Sequence, residues 1–199
     1  ARLDGQQSSR EAAVKGGTAF VGAEGANALD LAIQKEIEDA DMLAITGHHY
    51  HGTTTFWGEG GGMDLTELHP SLAVRTVAFS ACNSVKDPSE FPDDPVLPEI
   101  ERKFPNAEVV FGYSTKAPLT DGHIWERVIP MLKKARETGN YEPVKNYVRT
   151  EGFLGRGKVN TLELGVFVRE PNGWVFCKPG FCSDVPMVVA SVDSSEVSG

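Results

Sequence analysis

Apolar positions in this chain form two kinds of stretch. Some are short dense runs that stop at a glycine or a small polar residue; others carry an apolar residue every third or fourth position. The dense runs read as buried strands: Thr18–Val21, Met42–Thr46, Thr76–Ser80 and Glu108–Phe111. Leu162, Leu164, Val166 and Val168 alternate as a further strand, and Pro171-Asn172-Gly173 turns it into Trp174-Val175-Phe176 as a hairpin. Met187–Ala190 is a last strand candidate.

Helical spacing appears in four places. Behind an Asn27 cap, Leu29, Ile33 and Ile37 lie on one face, with Ala32 beside them, and the helix ends near Asp39. Pro98 suits the first position of a short helix through Phe104. The longest helix, capped by Thr120 or Asp121, carries Ile124, Val128 and Leu132 as its stripe, with Trp125 and Ile129 alongside. Lys133, Lys134 and Arg136 complement its C-terminal dipole, Gly139 stops it, and Pro130 is expected to kink it. A shorter helix follows around residues 144–148, before a Gly155-Arg156-Gly157 break.

Between these elements, residues 47–75 read as an irregular or hairpin-bearing loop with a short helix near Leu65–Leu68, and residues 86–98 as a Pro/Asp loop. Strands alternating with helices predict an α/β sandwich around a mostly parallel sheet, with an antiparallel C-terminal β-hairpin closing one edge. Residues 1–16 are a polar arm, 17–192 one domain and 193–199 a Ser-rich tail.

Composition narrows the partners. With 199 residues, 40% hydrophobic and 24% charged, the chain has ordinary globular usage and room for one sizeable core. The net charge is −9, and Lys133-Lys134-Ala135-Arg136 reads as a helix end, so nucleic acid is not an expected partner. No apolar stretch reaches the roughly 20 residues a membrane span needs, and no signal-peptide core is visible. The chain begins at Ala, which raises the expectation of a processed protein or a piece of a longer one. Cys177 and Cys182 bracket Lys-Pro-Gly-Phe, and read equally as a cross-hairpin disulfide or as two buried thiols. The compartment is left open.

Two run-ends carry the candidate chemistry. Met42–Thr46 leads into Gly47-His48-His49-Tyr50-His51-Gly52, with three of the five histidines; Thr76–Ser80 leads into Ala81-Cys82-Asn83-Ser84. In open α/β sheets the reactive crevice lies beyond the carboxyl ends of the strands, and both stretches sit just past such ends. Only a thiolate attacks well, and an adjacent imidazole can take the thiol proton and return it to a leaving amine. Backbone amides near Cys82, Gly47 and His49 are natural donors to a developing oxyanion. Taken alone, Cys82 reads as a small buried residue and each histidine as an ordinary loop or core residue. Their matched positions favour the catalytic reading.

An apolar strand ending in Gly-His, followed by a strand ending in Ser-Ala-Cys, resembles the caspase-type cysteine peptidases of clan CD. The stretch Asn106-Ala107-Glu108-Val109-Val110-Phe111-Gly112-Tyr113-Ser114, with Asp121 opening a long helix, is similar to the CHAT pattern within that group. The resemblance covers roughly residues 17–150. It implies a three-layer α/β/α sandwich of caspase-like type, a cysteine endopeptidase activity on protein or peptide substrates, and no cofactor. Cys82 corresponds to the nucleophile and His48 to the base. Family members show His followed by Gly, whereas the His-Gly pair here is His51-Gly52, so His51 is the alternative base. The resemblance also implies a substrate pocket bordered by Tyr113, Ser114 and the segment to Leu119, with Trp57 opposite and Ser80 before the nucleophile. Ser80 and Ala81 stand where Arg- and Lys-cutting members carry an acidic residue, so basic specificity gains no support. Control by a regulatory partner or an upstream domain is a further expectation of the same kind.

Two other readings compete. The His48/His49/His51 cluster, with His69, could bind zinc in a hydrolase, although Gly52-Thr53-Thr54-Thr55 supplies neither the Asp nor the second His that such runs normally continue to. A caspase-like fold that has lost catalysis and serves as a binding module is the other.

Overall fold

The computed structural model describes residues 37–38, 40–50, 53–56, 63–92, 96–118, 122–154 and 162–185. Its strands are β1 (Met42–Tyr50), β2 (Thr53–Phe56), β3 (Met63–Asp64), β4 (Thr76–Ser80), β5 (Val109–Tyr113), β6 (Leu164–Glu170), β7 (Gly173–Lys178) and β8 (Phe181–Asp184). Its helices are α1 (Leu97–Lys103), α2 (Gly122–Thr138) and α3 (Glu142–Glu151), with a 3-10 turn at Leu65–Glu67. The strands form one sheet in the order β3-β2-β1-β4-β5-β6-β7-β8.

The sheet is α/β in kind but more mixed than expected. Only the β1–β4 and β4–β5 pairs are parallel; the pairs that add β2 and β3 on one flank, and β6, β7 and β8 on the other, are antiparallel. The β1 strand also runs on through Tyr50, so the region from residue 47, read as an irregular or hairpin-bearing loop, takes the hairpin form there. The β-branched run Thr53–Thr55 supplies the reason, since it pairs back on Gly47–Tyr50 as a hairpin. At the other end, β8 adds a strand that no apolar run announces. The strand candidates at 18–21 and 187–190, the Asn27 helix before residue 37, the caps Thr120 and Asp121, and the break at 155–157 lie outside the described residues.

Alternation sends the strand residues to two cores. Ile45, Val77, Phe79, Val110, Phe167 and Phe176 meet Leu97, Ile100 and Phe104 of the α1 region on one face. Ala78, Val109, Phe111, Tyr113, Val166 and Val168 meet Ile124, Trp125, Val128 and Leu132 of α2, and Val144 and Val148 of α3, on the other. The Ile124/Val128/Leu132 stripe is thus buried as its spacing predicts, with Trp125 edge-on to Phe111 at 5.8 Å between ring centroids. The α2 helix continues past Pro130 and ends at Gly139, whose φ of 67° is the left-handed conformation that glycine adopts freely. Burial on both faces explains why β4 and β5 read as continuous apolar runs.

Cys177 and Cys182 are disulfide-bonded, directly opposite one another in the β7–β8 ladder. Of the two sequence readings, the disulfide holds. Among the described residues, no helix is long and apolar enough to cross a membrane.

Candidate active site

The site is built where β4 ends. Ala81 is buried, and Cys82, the free cysteine, is half-buried rather than enclosed as an inert core thiol would be. Asn83 then takes φ 53°, a left-handed conformation that asparagine tolerates better than other side-chain-bearing residues. The chain reverses there, and residues 83–85 run back alongside the end of β5.

That return path is heavily bonded. The Ser84 hydroxyl donates to the Ala81 carbonyl at 2.9 Å and accepts from the Tyr113 amide at 3.3 Å. The Val85 amide donates to the Tyr113 carbonyl at 3.0 Å, and the Asn83 amide to the Thr115 carbonyl. The Ala117 amide donates to the Cys82 sulfur at 3.3 Å. Farther out, the Thr115 hydroxyl accepts from the Glu163 amide at 2.9 Å, and the Ser114 amide donates to the Glu163 carbonyl at the same distance. These contacts tie the loop after β5 to β6 as well as to the turn.

Two glycines make room for the turn. Gly112 of β5 and Gly165 of β6 face each other in the ladder. A Cβ on Gly112 would lie 2.5 Å from the Ser84 Oγ and 2.9 Å from a Val85 methyl; one on Gly165 would lie 2.5 Å from the Val85 carbonyl oxygen. Together they form a notch in the sheet face into which Ser84 and Val85 settle. Close approach, rather than any positive φ, calls for glycine at both positions: of the Ser84 and Val85 side chains at Gly112, and of the Val85 backbone at Gly165.

Beyond the turn, Asp87 is buried. Its carboxylate accepts from the Ser89 amide at 3.0 Å and the Ser89 hydroxyl at 2.6 Å, and pairs with Lys178 at 3.3 Å. Burial pushes the Asp87 carboxyl up, but the Ser89 hydroxyl, the Ser89 amide and the Lys178 ammonium outweigh it and hold the group below its ordinary value. Burial pulls the Lys178 ammonium down, and its bonds to Glu90 and Asp87 reverse that and raise it. Lys178 follows the disulfide-bonded Cys177, so this network fastens the loop after Cys82 to the β7–β8 hairpin.

The histidine side is fixed by register. The parallel β1–β4 ladder pairs Thr46 with Ser80, so His48 and Cys82 each stand two residues beyond a matched pair. Beyond that pair Cys82 enters the turn whereas His48 remains within β1, so the expectation that both stand just past strand ends holds for Cys82 alone. His48 and His49 are described by backbone alone, paired with Thr55 and Thr54 of β2, and Gly47 pairs with Phe56. His51 and Trp57 lie outside the described residues.

The remaining expectations divide. Ser80 and Ser114 are partly exposed at the site. Tyr113 is not a pocket residue: it is fully buried in the α2-side core, and its backbone bonds to the turn. Its place in β5, one residue past Gly112, sends the side chain inward. His69 is exposed, and among the described residues no group of three or more His, Cys, Asp or Glu could hold a metal ion. Sequence reasoning placed the segment holding Thr115 and Ala117 beside the site but missed their bonds to the turn, and it missed the Gly112–Gly165 notch, Ser84 and the Asp87–Lys178 pair. The glycines themselves were visible, but their opposition across two strands depends on a register that no local pattern encodes.

Comparison of the chain with family models, with curated proteins and with solved structures finds no match.

Proposed function

We propose that the chain is a cysteine endopeptidase built as a caspase-like three-layer α/β/α sandwich, with Cys82 as nucleophile and His48 as base. The observation that supports this reading is the Thr46–Ser80 pair of the parallel β1–β4 ladder, two residues beyond which stand His48, still within β1, and Cys82, in the turn after β4. A half-buried free thiol on a sharply reversed and heavily bonded turn supports it. So does the presence of helices against both sheet faces.

The chemistry follows from those residue types. His48 accepts the thiol proton, and the thiolate attacks the scissile carbonyl carbon, forming a C–S bond and a tetrahedral oxyanion. Backbone amides of Cys82 and of the Gly47–His49 stretch are the donors for that oxyanion. Collapse expels the amine, which leaves with the proton carried by His48. Water, deprotonated by the same imidazole, then hydrolyses the thioester and restores the thiol.

A peptide-library digest with wild type and Cys82→Ala side by side tests the reading. Hydrolysis in wild type and its abolition in Cys82→Ala are expected, and the cleaved peptides give the side-chain preference at the cut. Hydrolysis that survives Cys82→Ala but is abolished by a chelator would transfer the activity to zinc on the histidine cluster. Absence of hydrolysis in both, with a protein partner retained by both, would leave a binding module.

A further inference from the structure

We propose that Asp64 is a positioning carboxylate for His48 and acts on it through the Thr55 hydroxyl. The observation is a register. His48 of β1 pairs with Thr55 of β2, and Thr55 pairs in turn with Asp64 of β3. The three residues form one row across three adjacent strands, and directly opposed residues share a face of the sheet. Residues two apart along a strand also share a face, so the row lies on the face of Thr46 and of its partner Ser80, two residues before Cys82. Aspartate is depleted in strands, yet Asp64 ends the two-residue β3, immediately before the 3-10 turn at Leu65–Glu67. An aspartate there can cap the turn, but asparagine caps equally well, so capping alone does not call for the charge.

Opposed Cα atoms in an antiparallel ladder lie about 4.5–5.5 Å apart, which separates His48 from Asp64 by about 9–11 Å along the row. One hydroxyl between them divides that gap. A threonine hydroxyl has one donor hydrogen and two acceptor lone pairs. It donates to the Asp64 carboxylate and accepts the imidazole N–H, which leaves the other ring nitrogen unprotonated to receive the Cys82 proton. Once His48 holds that proton, the imidazolium has a carboxylate on its own row, and hydrogen bonds to ionised groups are roughly twice as strong as neutral ones. Asp64 stays ionised throughout, and the proton moves only between Cys82 and His48. The covalent step is unchanged: the S–H bond breaks, an N–H bond forms, and the electron pair left on sulfur attacks the carbonyl carbon.

The kinetic consequence rests on the peptidase reading, but the row is also tested without it. Asp64→Asn keeps the shape and the cap and removes the charge; Thr55→Val keeps a β-branched residue and removes the hydroxyl. Each should lower kcat about 10- to 100-fold, the scale of loss when the hydrogen-bond partner that orients a metal-bound histidine is removed. KM and the urea midpoint should stay near wild type. The double variant should lose no more than the worse single one, because the two groups act as one chain. Thr54→Val, opposite His49 on the other face, should leave kcat unchanged. A kcat unmoved by either single variant, or losses that multiply in the double one, overturns the inference. A second measurement needs no turnover: the ring nitrogens of His48 in 15N NMR. In wild type one neutral tautomer should dominate, and Asp64→Asn and Thr55→Val should each return the ring to a mixture; identical ring spectra in all three overturn the inference. If the tautomer responds in a protein that cleaves no peptide, the row stands and the peptidase reading falls. If peptides are cleaved through Cys82 while neither kcat nor the tautomer responds, the reverse holds.

Discussion

The two halves of the candidate dyad are supported in different ways. Cys82 leaves the middle of the sheet, and its turn is bonded to β5, seated over glycines of β5 and β6, and anchored through Asp87 to the end of β7. His48 sits on β1 where that strand turns from a parallel partner, β4, to an antiparallel one, β2, two places from the sheet edge. The proposed nucleophile is thus built into the fold's core packing, whereas the proposed base rides on a hairpin that joins the core from one side. Changes around Cys82 should therefore affect stability and activity together, and changes on the hairpin should affect activity alone.

The sharpest separation comes from the histidines. His48→Ala should lower hydrolysis by roughly 10²–10⁴-fold, the usual contribution of a general base, with the far-UV circular dichroism and urea midpoint unchanged. His51→Ala should leave hydrolysis near wild type; a larger loss there than at His48 would exchange their roles. On the other side of the comparison, Gly165→Ala forces a methyl against the Val85 carbonyl oxygen, a backbone atom that cannot rotate away. It should cost about 2–3 kcal/mol in urea denaturation, the upper part of the overpacking range, and reduce Cys82 labelling in step.

Ser84→Ala should do less. It removes the bond to the Ala81 carbonyl and leaves the Tyr113 amide without its acceptor, both buried, for about 1–2 kcal/mol. Asp87→Asn is the mildest, at about 1 kcal/mol near neutral pH for a partly solvated pair. Its pH dependence has a definite sign. The folded-state value of Asp87 lies below its unfolded one, so its stabilisation is complete above the ordinary carboxylate range and is lost as pH falls through the depressed folded value. The gap in urea midpoint between wild type and Asp87→Asn should accordingly close as the pH falls below the ordinary carboxylate range. A gap that widens on acidification would assign the stabilisation to another group.

The same contrast governs what could be read from the sequence. Thr76–Ser80 and the strand at 108–111 were legible because burial on both faces leaves an uninterrupted apolar run. The α2 stripe was legible because a helix repeats its contact every three or four residues. A hairpin within 47–75 was one of two readings, but the extension of β1 through His48 was not legible, since it follows from pairing with a Thr-rich partner that carries no apolar signal. Nor was β8, whose end residues Phe181 and Asp184 are exposed. Cys82 and the position of His48 came from run-ends alone. The supports of Cys82 did not, because Ser84, Ala117 and Gly165 acquire their meaning from residues 29 to 80 positions away. Tyr113 was misjudged for a related reason: proximity to the site along the chain says nothing about which side of the sheet a side chain takes.

The opposed pair of glycines has an engineering consequence. The Cys82 turn is not a self-contained peptide that could be moved to any parallel sheet. A receiving scaffold would need bare backbone at two positions, one on the next strand and one on the strand after it, in matching register. Such a template can be recognised from a Cα trace, before any side chain is considered, which makes the empty patch a better search query than the cysteine it serves.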